Sequence, residues 1–116
     1  MMNGQELATA VQYQLPILFI VVNNGMYGTI RMHQEREYPG RISGTDLRNP
    51  DFAAYAKAFG GFGATVEKTA DFAKAFEACV QSGKPSIIHV KVDQNAITPM
   101  TTLDAIREKS MAAPRK

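Results

Sequence analysis

A chain of 116 residues suits one domain and leaves little room for a second. Its 45% hydrophobic and 21% charged content belongs to an ordinary globular protein and excludes a disordered one. A net charge of +2, with the 13 basic residues scattered and only a mild excess at Pro114-Arg-Lys116, excludes a nucleic-acid partner and reads as a solvated tail.

The longest apolar run, Ile17 to Val22, is strand-sized, so no membrane span is expected. The opening Met-Met-Asn-Gly-Gln-Glu lacks the basic-then-apolar pattern of a secretory signal. A single cysteine, Cys79, excludes an internal disulfide framework and reads as a buried structural thiol. These features together predict a cytoplasmic protein.

Residues 3–14 read as a helix with Leu7, Ala8, Val11 and Leu15 on one face, Asn3 as cap and Glu6 completing a box-like start. Pro16 stops it. Ile17 to Val22 follows as a β-branched run without polar alternation, which predicts a strand of a parallel sheet covered on both faces. After the turn Asn23-Asn-Gly-Met-Tyr-Gly28, residues 29–38 are polar and helix-compatible, and Glu35-Arg-Glu-Tyr38 reads as a solvated helical face. Residues 39–48 read as loop. Asn49-Pro-Asp-Phe52 predicts a helix start, with Asn49 as cap, Phe52, Ala53, Ala56 and Phe59 inward, and Gly60 as stop.

Phe62 to Val66 predicts a second strand. Thr69 caps a further helix whose expected apolar face is Phe72, Ala73, Phe76, Ala78, Cys79 and Val80. Pro85 to Asp93 predicts a third strand, and Leu103 to Met111 a last helix carrying Leu103, Ile106 and Met111. Strands alternating with helices define an α/β fold with an open, mainly parallel sheet and helices on both faces. The chain begins with a helix where this class usually begins with a strand, so the sheet is expected to be truncated at the N-terminus.

Ligands of open α/β sheets bind beyond the carboxyl ends of the strands, which is where Asn23 to Gly28 falls. Two amides offer oxygen donors for a hard cation such as Mg²⁺, and two glycines let a backbone approach an anion. Asn-Gly is equally a common turn dipeptide, and spacing alone leaves both readings open. Gly60-Gly-Phe-Gly63 follows a helix and completes no dinucleotide pattern, and Gly83-Lys84 is followed by proline, so neither is a phosphate loop. His33 and His89 have no partners at metal-ligand spacing; His89 reads as structural, while His33 stands close behind the turn.

The segments Asn3-Gly-Gln-Glu-Leu, Leu15-Pro-Ile, Asn23-Asn-Gly-Met-Tyr-Gly, Asn49-Pro-Asp-Phe-Ala, Phe59-Gly and Lys84-Pro-Ser-Ile-Ile-His-Val-Lys-Val-Asp resemble, in order, the C-terminal module of thiamine-diphosphate enzymes of the acetolactate synthase and benzoylformate decarboxylase type. The resemblance covers about Asn3 to Ile97 and implies a thiamine-diphosphate-binding fold, with residues 98–116 as C-terminal helix and tail. It implies a cofactor motif of Gly-Asp-Gly and, about two dozen residues on, Asn-Asn. Asn24 then becomes the side-chain ligand of Mg²⁺ and Met26 the carbonyl ligand. Tyr27 and Gly28 lie along the diphosphate, Asn23 supports the turn and Gly25 permits its shape. The Gly-Asp-Gly would fall before Met1, as would the pyrimidine domain whose glutamate activates the cofactor.

The implied function is that of one part of a thiamine-diphosphate and Mg²⁺-dependent 2-keto acid decarboxylase or carboligase, inactive alone. Its implied partners are a small 2-keto acid, the missing N-terminal domains and further copies in a homo-oligomer. Acetolactate synthases tend to continue with Gly-Met-Val and a Gln-Trp pair; here Gly28-Thr-Ile-Arg-Met-His-Gln34 follows, and the chain has no tryptophan. The turn is closer to the benzoylformate decarboxylase form, with Thr29, Ile30, Met32 and His33 as substrate-side candidates. The alternative of another class is a non-catalytic α/β association module that covers an open sheet edge by self-pairing.

Overall fold

Three apolar runs bounded by proline or glycine become the strands of one parallel sheet in a computed structural model that describes residues 3–113. Met1 and the basic tail at Pro114–Lys116 lie outside the described residues. The elements are α1 (Glu6–Gln12), β1 (Leu18–Asn23), α2 (Gly28–Glu37), α3 (Phe52–Ala58), β2 (Phe62–Val66), a 3₁₀ turn (Thr69–Asp71), α4 (Phe72–Gln81), β3 (Ser86–Lys91), β4 (Ala96–Thr98), β5 (Thr101–Thr102) and α5 (Leu103–Ala112). The chain forms two compact units: one runs to Asn23 and takes in Asn49–Lys91, the other takes in Asn24–Arg48 and the chain from Val92.

In the first unit the strand order is β1-β3-β2, all parallel, with Leu18 and Phe62 both in register with Ser86. The side-chain alternation of β3 divides the core. Ile87 joins Leu7 of α1, Phe52 and Ala56 of α3, and Phe19 and Val21 of β1; Ile88 joins Val66, Cys79 of α4, Leu18 and Phe72. Helices therefore cover both faces, as expected. Gly63 of β2 lets α3 lie flat on the sheet, because a Cβ there would collide with the backbone carbonyl of Ala53.

Several local expectations are corrected. α1 starts at Glu6 after Gln5, without the Asn3 cap, and buries Leu7 and Ala10 while Leu15 is exposed. β1 is an edge strand, and its Ile20 and Val22 are 48% and 66% exposed, so the run is not covered on both faces. Asp51, not Asn49, caps α3: its carboxylate accepts from the N–H groups of Ala53 and Ala54 at 2.9 and 3.1 Å. α4 begins at Phe72 after the 3₁₀ turn and uses Phe72, Ala75 and Cys79, leaving Phe76 and Val80 exposed.

In the second unit, α2 and α5 pack together beside an antiparallel pair, the three-residue β4 and the two-residue β5, which are too short for sequence periodicity to reveal. Thr102 caps α5 by accepting from Ala105 N–H at 3.2 Å. Leu103 is buried and Ile106 half-buried, whereas Met111 is 68% exposed. Glu35, read from sequence as part of a solvated face, is 1% exposed. Among the described residues no helix is long and apolar enough to cross a membrane.

Candidate functional site

The turn Asn23–Gly28 begins at the carboxyl end of β1 and ends as α2 starts. Asn23 belongs to the first unit. Its carboxamide nitrogen meets His89 Nε2 at 2.8 Å and its oxygen accepts from Asn49 Nδ2 at 2.8 Å. His89 is 3% exposed, with the Phe52 ring edge-on at 5.1 Å and the Asp51 carboxylate 3.8 Å from Nδ1. The hydrogen bond from the Ala54 N–H, joined by that of Ala53, lowers the Asp51 pKa below the usual aspartate value, with His89 contributing less. His89 is thus a structural residue, as expected, and it is tied to the turn.

In the second unit, Asn24 Oδ1 accepts from Met26 N–H at 3.2 Å, a local side-chain turn. Met26 is buried and forms an isolated antiparallel bridge with Asp46. The flanking bonds run from Tyr27 N–H to Thr45 O and from Leu47 N–H to Gly25 O, both 2.8 Å. That pattern makes Met26 and Asp46 a non-hydrogen-bonded pair, so the N–H and C=O of Met26 point away from Asp46, toward the side where Asn24 Oδ1 lies. Gly25 has φ +67°, the left-handed region that favours glycine. At Gly28 a Cβ would stand 2.8 Å from both Asn24 Nδ2 and Ile97 Cδ1, so only glycine leaves the asparagine its place.

These groups fit a share of a magnesium–diphosphate site: one side-chain amide oxygen and one main-chain carbonyl on a common side, both hard and neutral. Thr45, 1% exposed, leaves its buried hydroxyl without a hydrogen-bond partner in the segment bridged to Met26. Beyond the turn, α2 begins at Gly28, and its first N–H groups have no partner inside the helix. Among the described residues no cluster of three His, Cys, Asp or Glu side chains is placed to hold a metal.

The four substrate-side candidates all lie on α2. Thr29, Ile30 and His33 are exposed along α2, while Met32 is half-buried in an open groove of about 580 Å³ that it shares with Arg36, Thr98, Thr101, Ile106 and Ser110. Tyr27 is 52% exposed. The sequence reading missed the ion cluster on the other side of α2. Glu35 accepts from Arg31 at 2.7 Å, from Arg107 at 2.6 and 2.9 Å and from Gly40 N–H at 2.9 Å. The Arg107 guanidinium, aided by the Gly40 N–H and Arg31, holds the Glu35 carboxyl at about 2 although burial pushes it up. The i, i+4 spacing of Arg31 and Glu35 was its only local signal.

A parallel α/β sheet with a glycine- and amide-rich turn at a strand's carboxyl end defines a phosphate- or cofactor-binding class. Residues 1–90 match the family described as thiamine pyrophosphate enzyme, C-terminal TPP binding domain, and the chain belongs to that family. It is 38% identical over 94 residues to the acetolactate synthase large subunit of Parasynechococcus marenigrum, covering 79% of this chain and 15% of that protein. Against the acetolactate synthase isozyme 2 large subunit of Escherichia coli it is 35% identical over 95 residues, covering 81% of this chain and 17% of the relative. The mitochondrial acetolactate synthase of Schizosaccharomyces pombe shares 34% over 93 residues, covering 80% and 14%. The chain therefore spans only 14–17% of the length of these relatives.

Proposed function

We propose that the chain is the diphosphate-side part of a thiamine-diphosphate and Mg²⁺-dependent enzyme that decarboxylates a 2-keto acid and transfers the product to an acceptor, and that it is inactive alone. The observation that carries the reading is the common orientation of Asn24 Oδ1 and the Met26 carbonyl, supported by membership of the TPP-binding family. Asn24 and Met26 would hold Mg²⁺. Gly28 and the opening N–H groups of α2 would receive the diphosphate, with Tyr27 alongside and Gly25 giving the turn its shape. Bound thiamine diphosphate supplies the electron sink for decarboxylation. The two protein donors are uncharged, so a carboxylate from another part of the parent enzyme completes the metal shell.

The relatives are roughly five times as long as this chain, which supports such a parent; the parent is further proposed to be a cytoplasmic homo-oligomer acting on a 2-keto acid. Titration calorimetry of the chain with thiamine diphosphate and Mg²⁺ tests the reading. Weak binding, poorer than micromolar and reduced further by Asn24→Ala, is expected, with no keto acid consumed. Tight binding would overturn the assignment of a partial site, and an Asn24→Ala variant indistinguishable from the parent chain would overturn the metal assignment.

A second reading, a non-catalytic association module, is favoured by the exposed Ile20 and Val22 on edge strand β1. Light scattering separates the two, since a monomer in solution counts against association.

A further inference from the structure

Asn49, Asn23, His89 and Asp51 form a directional chain of polar groups in the first unit. Val21 and His89 are partners in the β1–β3 register, so the His89 ring, on the face of Val21 and Asn23, reaches along β1 to its last residue. The Asn23 carboxamide is engaged at both ends, its nitrogen with His89 Nε2 and its oxygen with Asn49 Nδ2, each at 2.8 Å. His89 Nδ1 is buried and makes no hydrogen bond of its own; the nearest charge is Asp51 Oδ1 at 3.8 Å, already held by two backbone N–H groups.

An ionised carboxylate only accepts, so a neutral imidazole facing it places its proton on Nδ1 and leaves Nε2 a lone pair. The opposite tautomer would turn the Nδ1 lone pair toward the negative charge and direct an Nε2–H at the carboxamide nitrogen, which also donates. Asn23 would then have to flip, and Asn49 with it.

We infer that Asp51 and His89 are positioning residues that fix the Asn23 carboxamide in one orientation, nitrogen toward His89 and oxygen toward Asn49. Asn23 thereby ends β1 in a single geometry immediately before Asn24. The consequence for metal binding rests on the functional reading above, but the locked orientation does not.

Nitrogen-15 NMR of the chain at mildly alkaline pH tests this. His89 is expected as the Nδ1–H tautomer, with Asn23 side-chain amide protons that exchange slowly. Asp51→Asn keeps a good helix cap and removes the charge. It should give a mixture of tautomers and speed Asn23 amide exchange about tenfold, the scale of one lost hydrogen bond. An Nε2–H tautomer in the unaltered chain, or an unchanged tautomer and exchange rate in Asp51→Asn, would overturn the inference. A locked His89 in a chain whose cofactor binding ignores Asn24 would sustain the inference while removing the functional reading.

Discussion

Arg107 reaches across 72 residues of sequence to grip Glu35 with two nitrogens, Nη2 to Oε1 at 2.6 Å and Nε to Oε2 at 2.9 Å. Arg31, one turn before Glu35 on α2, binds the same carboxylate, so α5 is fastened to α2 through one buried anion. Removing that anion strands two guanidinium groups, one of them 8% exposed, and uncompensated buried charge is expensive. Glu35→Ala is expected to lower the unfolding free energy by about 3–5 kcal/mol, the range for breaking such a cluster. Arg107→Ala should cost less, because Arg31 and the Gly40 N–H still satisfy the carboxylate. Urea unfolding followed by circular dichroism would measure both, and a Glu35→Ala loss below that of Arg107→Ala would contradict this account.

The same carboxyl makes the chain acid-labile in a defined window. Its folded pKa of about 2 lies below the ordinary glutamate value of 4.5, so its stabilisation is fully present above about 4.5 and is lost as the pH falls toward 2. The shift corresponds to a contribution on the order of 3 kcal/mol. Urea midpoints measured between pH 7 and pH 2 should therefore fall mainly below 4.5. Glu35→Gln should start lower at neutral pH and decline less, since the variant has no proton to take up at that position. Parallel curves for the two proteins would refute the assignment.

The parts of the fold that sequence revealed are those where covalent chemistry decides locally. Proline or glycine precedes each of the three parallel strands, and the observed Phe62–Val66 and Ser86–Lys91 fall within the expected ranges. What stayed hidden depends on which surface a neighbour covers. Asn49, Pro50 and Asp51 are all start signals for a helix; Asp51 became the cap, and Asn49 instead bonds to Asn23. α4 carries apolar residues around much of its circumference, so periodicity alone did not show that Phe76 and Val80 face outward. Glu35 resembles any solvated glutamate until Arg107 is brought to it. At the turn, residue types suggested oxygen donors, but the common side of Asn24 and Met26 follows from the bridge to Asp46, which local sequence does not encode.

Gly63 should tolerate no side chain. It is buried in β2, and a Cβ would strike the carbonyl of Ala53, a backbone group of α3 that cannot rotate away. Gly63→Ala must therefore displace α3 from the sheet, disturbing the packing of Phe52 and Ala56 on Ile87. Overpacking of this kind costs typically about 1–3 kcal/mol, and a clash with fixed backbone belongs at the upper end. Gly40→Ala provides the contrast, since nothing lies within 4 Å of its Cβ and only its φ of +77° is unfavourable. Thermal unfolding of the two variants should place Gly63→Ala well below Gly40→Ala.

Cys79 should report on the opening of α4. Its thiol is 2% exposed among Val66, Ile88 and Phe72, and burial pushes its pKa up, with Ser86 acting weakly in the other direction. The thiolate is the reacting species, so a native thiol with both its access and its ionisation suppressed reacts only when the helix lifts. Labelling by a disulfide reagent at neutral pH is expected to be at least about a thousandfold slower than in urea, matching unfolded fractions of about 10⁻³ or less. Glu35→Ala weakens the other unit, so a matching acceleration at Cys79 would reveal that the two units unfold together. A Gly63→Ala variant should accelerate labelling directly, because α3 and α4 cover opposite faces of the same strands. Rapid labelling of the unaltered chain under native conditions would show instead that α4 opens locally, and that the packing of Cys79 against Ile88 contributes little to holding the sheet.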